Sequence, residues 1–388
     1  MTESPLLEGL RVIDLSRVLA GPYAGQLLAE MGADVIKVEP PEGDPSRGIG
    51  PHIEGRSLYF SSLNTGKRGI VLDLTADSGR RALDALLDSA DILLENFRPS
   101  TARKLGVDPT DVLARHPHLT VVTVSSYARD SARAEDPALD LSVQAEAGIM
   151  SVTGEPGGPP LRAGVPVGDL TAGMLAALAA VAGYAARLRH GRGRHVEVPL
   201  LDATLSLLSY VATAAAGTGV NPPPVGSAHH SVVPYGAYPT KDGWIAVPVI
   251  GDKLWRLLCG ALELDGLAGR DDLATNAHRA QRREEVDAAL ATALGRLTTA
   301  EAQRRLSAGN IPSAPVNQIL DALATPYVAA QGIVADVAAA EGTYSMVRTP
   351  LGRGGALRPA PGLGEHTRDV LAEALGDDSP LLAAVVAG

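Results

Sequence analysis

The sequence predicts an α/β fold: a large domain built on a parallel sheet covered by helices, and a second, smaller α/β domain. Three observations lead there. Short apolar runs alternate with amphipathic helical segments through the first third of the chain, the pattern of βαβ units. The chain has 388 residues, more than one hydrophobic core usually organises. Apolar residues make up 45% of it and aromatics only 3%, so the core must be built from closely packed Ala, Leu and Val.

Leu10 to Glu39 opens with Val12-Ile13-Asp14-Leu15, turns at Gly21-Pro22, runs on as an amphipathic helix and closes with Asp34-Val35-Ile36-Lys37-Val38-Glu39. A second βαβ unit has Gly69-Ile70-Val71-Leu72-Asp73 as strand, Ser78 to Ala90 as helix and Ile92-Leu93-Leu94 as strand. A helix near Asp108 to Arg115 leads into another strand, Leu119 to Val124. Leu170 to Leu188 is a long, Ala-rich helix with too little charge to face water over most of its circumference, so it is expected to be buried. His195 to Leu200 follows as a strand, then the apolar helix Asp202 to Ala215.

Gly, Pro and Asn then crowd into a linker, placed at residues 216–225. The large domain thus begins with residues 1–215, the small domain takes 226–325, and 326–388 return to the large one. In the small domain, Tyr235 to Ile250 reads as a hairpin turning at Lys241-Asp242-Gly243. Val286, Leu290, Ala293, Leu294 and Leu297 share one helix face, and Thr298-Thr299-Ala300-Glu301 resembles a capping box. The tail passes through Tyr344 to Arg348 and ends in a helix, Thr367 to Leu375.

A formal net charge of −10 argues against a nucleic-acid or anionic-membrane surface, since both need clustered positive charge. Small anionic substrates stay open, because a single Arg or Lys can dominate a pocket. The one cysteine, Cys259, lies in an apolar helical stretch and has no partner for an intrachain disulfide, so it reads as a buried structural thiol. No signal peptide is read at the start of the chain and no apolar run is read as long enough to span a bilayer, so a cytoplasmic protein is expected. No His or Cys set has metal-ligand spacing.

The first βαβ unit, with Glu39 closing its second strand, invites a dinucleotide reading. That motif needs Gly-x-Gly-x-x-Gly so that backbone amides reach a pyrophosphate. Here the glycines are Gly21 and Gly25, separated by Pro22-Tyr23-Ala24, and the motif is absent.

A set of ordered segments carries a resemblance. Leu7-Glu8-Gly9-Leu10-Arg11-Val12-Ile13-Asp14-Leu15 with Ala20-Gly21-Pro22 comes first, then Gly32-Ala33-Asp34-Val35-Ile36-Lys37-Val38-Glu39 and Asn64-Thr65-Gly66-Lys67-Arg68. Glu95-Asn96-Phe97-Arg98-Pro99, Val167-Gly168-Asp169, Gly191-Arg192-Gly193-Arg194-His195-Val196 and Leu363-Gly364-Glu365-His366-Thr367 follow. In number, order and spacing they resemble the class III coenzyme A transferases, the formyl-CoA and carnitine CoA-transferase family. The resemblance implies a Rossmann-like large domain, a small domain, and a homodimer whose two chains interlock. It implies acyl-CoA and a small carboxylic acid as substrates, with no tightly bound cofactor.

By that resemblance Asp169 is the nucleophile, relaying the acyl group through a mixed anhydride and an enzyme-CoA thioester. Gly168 permits close approach, and the helix expected to start at Leu170 offers a positive end that favours the ionised carboxylate. The residues alone fit an ordinary N-cap at Asp169 as well. Arg17, Val18, Ala20, Leu74, Asn96, Phe97 and Lys104 match CoA-contacting positions. Tyr59 and Asp140 match the substrate pocket. Ser227, His229 and His230, in Gly226-Ser227-Ala228-His229-His230, align with a lid that covers the reacting aspartate.

Two departures matter. Pro40 stands where some members carry an Arg, and residues 127–137 form a polar, charged loop where many have Gly-x-x-Gly-Pro. The lid sequence looks closest to members using succinyl-CoA and dicarboxylates, for which Arg47, Arg162 or a lid His could hold the second carboxylate. Two alternatives share the scaffold. An α-methylacyl-CoA racemase needs a His before the acid matching Asp140, where this chain has Leu139. A non-catalytic CoA-binding protein would not need Asp169.

Overall fold

The computed structural model describes residues 5–340, 342–352 and 357–387. They divide into two compact units. The first holds the described residues up to Ile149, Arg162–Ala212, and those from Pro326 onward; the second holds Met150–Leu161 and Thr213–Thr325.

Six strands form the sheet of the first unit: β1 (Arg11–Asp14), β2 (Asp34–Glu39), β3 (Arg68–Val71), β4 (Ile92–Glu95), β5 (Thr120–Ser125) and β6 (Arg194–Pro199). They lie in the order β3-β2-β1-β4-β5-β6 and every pairing is parallel. This is the doubly wound order, in which the connections reverse direction between β1 and β4. The crevice beyond the carboxyl ends of those two strands is where such sheets take ligands.

The helices are α1 (Ala20–Glu30), α2 (Leu58–Asn64), α3 (Asp77–Asp88), α4 (Pro99–Leu105), α5 (Pro109–Arg115), α6 (Asp140–Glu146), α7 (Val167–His190) and α8 (Leu200–Ser206). Successive strand residues point to opposite faces, so each strand feeds two cores. On one side Ile13, Ile36, Ile70 and Leu93 pack against Leu83 and Leu86 of α3 and against Val370 and Leu371 of the tail. On the other, Val12, Val35, Ile92, Leu94 and Val122 meet Ala24 and Leu28 of α1 and Ala172, Ala176 and Ala180 of α7.

Small residues let α7 lie close to its neighbours. A Cβ on Gly173 would stand 2.6 Å from the Ala20 carbonyl oxygen, and one on Gly183 would stand 2.4 Å from Thr120. Two expectations for α7 need correcting. Only one side of it is buried within the chain; Met174, Leu178 and Leu188 on its other side are 48%, 64% and 67% exposed. It is also long and apolar enough, by length and composition, to cross a membrane. Its buried side nonetheless packs against α1 and the sheet as a core helix does. The apolar helix expected from Asp202 to Ala215 is broken as well: α8 stops at Ser206 and helix resumes at Ser209, whose φ is +42°.

Two lysines are wholly buried in this unit, and each is paired. Lys67 Nζ donates to Asp14 Oδ2 at 2.8 Å, to Asn64 Oδ1 at 2.9 Å and to the Pro22 carbonyl at 2.9 Å. Lys37 Nζ donates to Asp44 Oδ2 at 2.7 Å and to the Ser16 carbonyl. Asp14, Lys37 and Lys67 have no exposed surface, and Asp44 almost none. Desolvation is the dominant pull on Lys67 and takes its ammonium down to about 8, against Asp14. Burial would raise Asp44, yet Lys37 and Ser46 hold its carboxyl down to about 2. Gly25 makes room for one pair, since a Cβ there would fall 2.6 Å from Asp14 Oδ2 and 2.9 Å from Lys67 Nζ.

From Val334 the tail runs through two antiparallel strands, Val334–Ala339 and Gly342–Val347, to the helix Thr367–Leu375. Before that helix it lies along β3: His366 exchanges two hydrogen bonds with Gly69, and Thr367 Oγ1 accepts from the Val71 amide. This segment covers what would otherwise be a bare sheet edge.

The second unit carries a three-stranded antiparallel sheet of β7 (Tyr235–Pro239), β8 (Trp244–Pro248) and β9 (Ala314–Pro315), with β8 in the middle. Thr298 caps the helix Thr299–Ala308 by accepting from the Glu301 amide. Val286, Leu290 and Leu294 are buried in its core with Trp255 and Cys259, and burial pushes the Cys259 thiol up to about 11. Buried Arg279 ties this unit together, donating to the Val233 and Leu273 carbonyls and to Asp252.

Replacing Lys67 by Met leaves Asp14 buried and unpaired. The expected cost is about 3–5 kcal/mol in urea unfolding. The double variant Asp14→Leu, Lys67→Met should recover much of that loss; a double variant as unstable as Lys67→Met alone would show that pairing is not the issue.

Candidate active site

The loop between β1 and α1 is pinned from several directions. Asp14 accepts from the Ser16 amide and hydroxyl. Asn96, just past β4, accepts from the Arg17 amide and donates to the Arg17 carbonyl, both at 2.9 Å. Val18 has φ +70°, a left-handed conformation costly for a β-branched residue, and its amide donates to both Asp44 oxygens at 3.3 Å. Arg17 lies over the Phe97 ring at 5.2 Å. The structure therefore brings Arg17, Val18, Ala20, Asn96 and Phe97 together at the reversal point between β1 and β4. Leu74 is buried in the same core as Phe97, and Lys104 is exposed in the last turn of α4.

The Arg17 backbone is tied across the crevice by both ends of the Asn96 amide. A strained loop held this firmly presents a fixed surface of backbone and side chains to a ligand.

Asp169 is not an N-cap. Helix α7 begins at Val167 with Pro166 as its cap residue, so Asp169 is the third helical residue. Nor does the helix end leave the carboxylate ionised at low pH, as the sequence suggested. Burial first, and the nearby Asp140 carboxylate second, push Asp169 up to about 7. The reason lies in who takes the free amides. Asp140 Oδ1 accepts from the Gly168 amide at 2.9 Å and the Asp169 amide at 3.3 Å, so the positive end of α7 is spent on Asp140.

Asp169 and Gly173 are four residues apart and share a helix face. Gly173 sits against the Ala20 carbonyl and Tyr23, so the Asp169 face of α7 is turned toward the start of α1. Tyr59, on α2, belongs to the same cluster: burial and then the charges of Asp169, Asp44 and Asp140 push its hydroxyl up to about 12. At neutral pH Tyr59 is an O–H donor. Gly168 is required here, because a Cβ would lie 2.8 Å from Thr204 Oγ1 and 3.1 Å from Asp140 Oδ1.

Of the cations offered for a second carboxylate, Arg47 is already engaged. It makes a bidentate pair with Glu39 at 2.7 and 2.8 Å, donates to the Pro361 carbonyl and stacks on Phe60. Glu39 is thereby occupied too, and it also accepts from the Asp44 amide. Arg162 is exposed.

The charged 127–137 loop is anchored beside the CoA candidates. Arg129 pairs with buried Glu95 at 2.8 Å and donates to the Phe97 carbonyl; Glu135 accepts from the Ser100 amide and hydroxyl at the start of α4. Arg129 also adds to the burial that takes His195 down to about 4.

The residues that the resemblance aligns with a lid belong to the second unit and hold their own loop. Ser227 Oγ accepts from the Ala237 amide, His229 Nδ1 accepts from the Ser231 and Val232 amides, and His230 Nε2 donates to the Pro223 carbonyl. Sequence reasoning passed over Asp44 and Gln144. Lys37, a cation inside the apolar strand Val35-Ile36-Lys37-Val38, was the available signal that a buried acid must be waiting for it.

Comparisons with known proteins identify the family and the fold. A family model described as CoA-transferase family III matches residues 7–367. The chain is 36% identical over 382 residues to the succinate–glutarate CoA-transferase of Agrobacterium fabrum, covering 95% of this chain and 96% of that one. It is 32% identical over 384 residues to the succinyl-CoA:mesaconate CoA-transferase of Haloarcula hispanica, covering 95% and 96%. A solved CAIB/BAIF family protein from Brucella suis matches with a TM-score of 0.84 at 32% identity, over 95% of this chain and 99% of that one.

The raised Asp169 carboxyl carries a stability signature. Its folded state keeps the proton longer than the unfolded chain, so stability falls as pH rises from about 4 to about 7 and stays lower above that. Asp169→Asn escapes the penalty. It should unfold about 2 kcal/mol later than the parent at pH 8 and nearly together with it at pH 4. Equal stabilities at both pH values would show that Asp169 ionises normally.

Proposed function

The chain belongs to CoA-transferase family III, and from that premise we propose that Asp169 is the nucleophile of a transferase moving CoA from succinyl-CoA to a second, dicarboxylic acid. The observation that carries the reading is a half-buried carboxylate with a raised affinity for protons, on the helix face turned toward the loop of the β1/β4 crevice. A basic, desolvated carboxylate is the better nucleophile, and its seclusion protects the anhydride from water.

In the proposed relay the ionised Asp169 attacks the thioester carbonyl, giving a mixed anhydride and CoA thiolate. The thiolate then attacks the Asp169 acyl carbon, releasing succinate and leaving aspartyl-CoA. The acceptor carboxylate attacks that thioester, forming a second anhydride and freeing the thiolate again. The thiolate attacks the acceptor's acyl carbon, and Asp169 leaves as carboxylate. Tyr59, protonated through the working pH range, supplies an O–H to the oxyanion or to an acid oxygen. Arg17, Val18, Ala20, Asn96 and Phe97 hold CoA in the crevice, with Lys104 offering charge to its phosphates.

Succinyl-CoA as donor rests on the names of relatives at 31–36% identity. Racemisation is disfavoured by Leu139, an apolar and 74% exposed residue where the second acid/base would stand. The exposed apolar side of α7 supports an interlocked homodimer, since Met174, Leu178 and Leu188 are left uncovered by the described residues. A cytoplasmic location, where acyl-CoA is available, belongs to the same reading.

The direct test is transfer from succinyl-CoA to labelled dicarboxylates. Asp169→Ala should lose about a thousandfold or more in kcat. Hydroxylamine added during turnover should modify Asp169 in the parent. Parent kcat/KM should climb with pH up to about 7 and then level off. Undiminished transfer by Asp169→Ala would sink the reading. Light scattering should give a dimer mass, and a monomer with full activity would remove the interlocked assembly.

A further inference from the structure

We propose that Gln144 is a positioning residue for the transfer reaction: it fixes the Asp140 carboxylate against the first turn of α7 and so sets the surroundings in which Asp169 ionises. The role rests on Asp169 being the nucleophile.

Helix α7 starts after Pro166, whose side chain caps nothing. Its first amides need an acceptor from elsewhere, and Asp140 Oδ1 serves Gly168 and Asp169. The other Asp140 oxygen, Oδ2, accepts from Gln144 Nε2 at 2.6 Å. Gln144 Oε1 in turn accepts from the Ala163 amide at 2.9 Å, in the segment that enters α7. Asp140 and Gln144 are four apart on α6, so they share a face, and Gln144 is wholly buried. One neutral side chain thus joins α6, the segment before α7 and the carboxylate that caps α7.

The chemistry needs a glutamine. The side chain must donate and accept at once: an ionised Glu cannot donate, Met can do neither, and Asn is one methylene too short. The charge bearing on Asp169 is that of Asp140 from α6, while Asp169, Asp44 and Asp140 bear in turn on Tyr59 from α2. Asp140 is therefore the charge whose placement matters. With Gln144 donating to it, the Asp140 carboxylate is held on the amides of Gly168 and Asp169, beside the Asp169 carboxyl whose affinity for protons it raises. Without that donor, the Asp140 carboxylate can rotate off the amides and away from Asp169. That change favours ionised Asp169 and makes it a weaker nucleophile.

Two variants and two readouts test this. The Asp169 carboxyl is followed by ¹³C NMR of aspartate-labelled protein, its resonance assigned by loss in Asp169→Asn, and transfer is measured from pH 6 to 9. In Gln144→Met the Asp169 midpoint should fall by about one pH unit or more, with kcat down about tenfold and KM for acyl-CoA within about threefold. In Gln144→Glu, a proton on the introduced carboxyl preserves both hydrogen bonds at pH 6. Its rate there should lie within about threefold of the parent and drop about tenfold further behind by pH 9 as that proton leaves. A folded Gln144→Met with an unmoved Asp169 midpoint overturns the proposal. So does a Gln144→Glu to parent ratio that is flat from pH 6 to 9, which decides the matter if the Met variant does not fold. A parent that transfers no CoA would count against the nucleophile, and the carboxyl titration would still judge Gln144.

Discussion

Two buried ion pairs hold the end of the first unit that carries the candidate site. Lys67 with Asp14 and Lys37 with Asp44 fix both sides of the loop between β1 and α1, and each lysine also donates to a backbone carbonyl of that loop or of the helix after it. The loop cannot hold itself: Val18 is in a left-handed conformation and its amide depends on Asp44. Burying four charges is expensive, and well-packed apolar groups could stabilise the fold as well. What the charges give instead is direction. Each donor and acceptor is satisfied in a narrow range of geometries, and together they tie the loop at Ser16, Arg17 and Val18.

The proposed nucleophile inherits that precision by contact. Gly173 brings α7 against the Ala20 carbonyl, directly after the pinned loop, and Asp169 lies one turn back on the same face. Desolvation and Asp140 then make its carboxylate more basic than an ordinary aspartate. Asp140 does so while capping α7, so one residue supplies helix stability and tunes the acid beside it. A helix end is often taken to favour an anion. Here a second anion claims its amides, and the effect on Asp169 reverses.

The charged loop from 127 to 137 shows how a departure in sequence is absorbed by the fold. Arg129 reaches buried Glu95 and the Phe97 carbonyl, and Glu135 meets the start of α4. The loop thus braces the strand end and helix that carry Asn96, Phe97 and Lys104. Its charges are mostly spent on internal pairs, which keeps it from acting as an open cationic surface.

The sequence by itself determined the α/β class, the strands of the parallel sheet and the family, because apolar periodicity and ordered motifs are local and survive without coordinates. It also pointed to the cluster at β1 and β4, through Arg17, Ala20 and Asn96. Tertiary structure alone decided the partners. Lys37 and Lys67 read as motif letters until Asp44 and Asp14 were placed against them, and Gln144 carried no signal at all. The start of α7 moved from Leu170 to Val167, turning Asp169 from a candidate cap into a helical residue. Its ionisation then reversed direction, because burial and a neighbouring carboxylate come from residues far apart in the chain. The helix read as buried kept an open apolar side, since apolar composition records that a surface avoids water without saying which chain covers it.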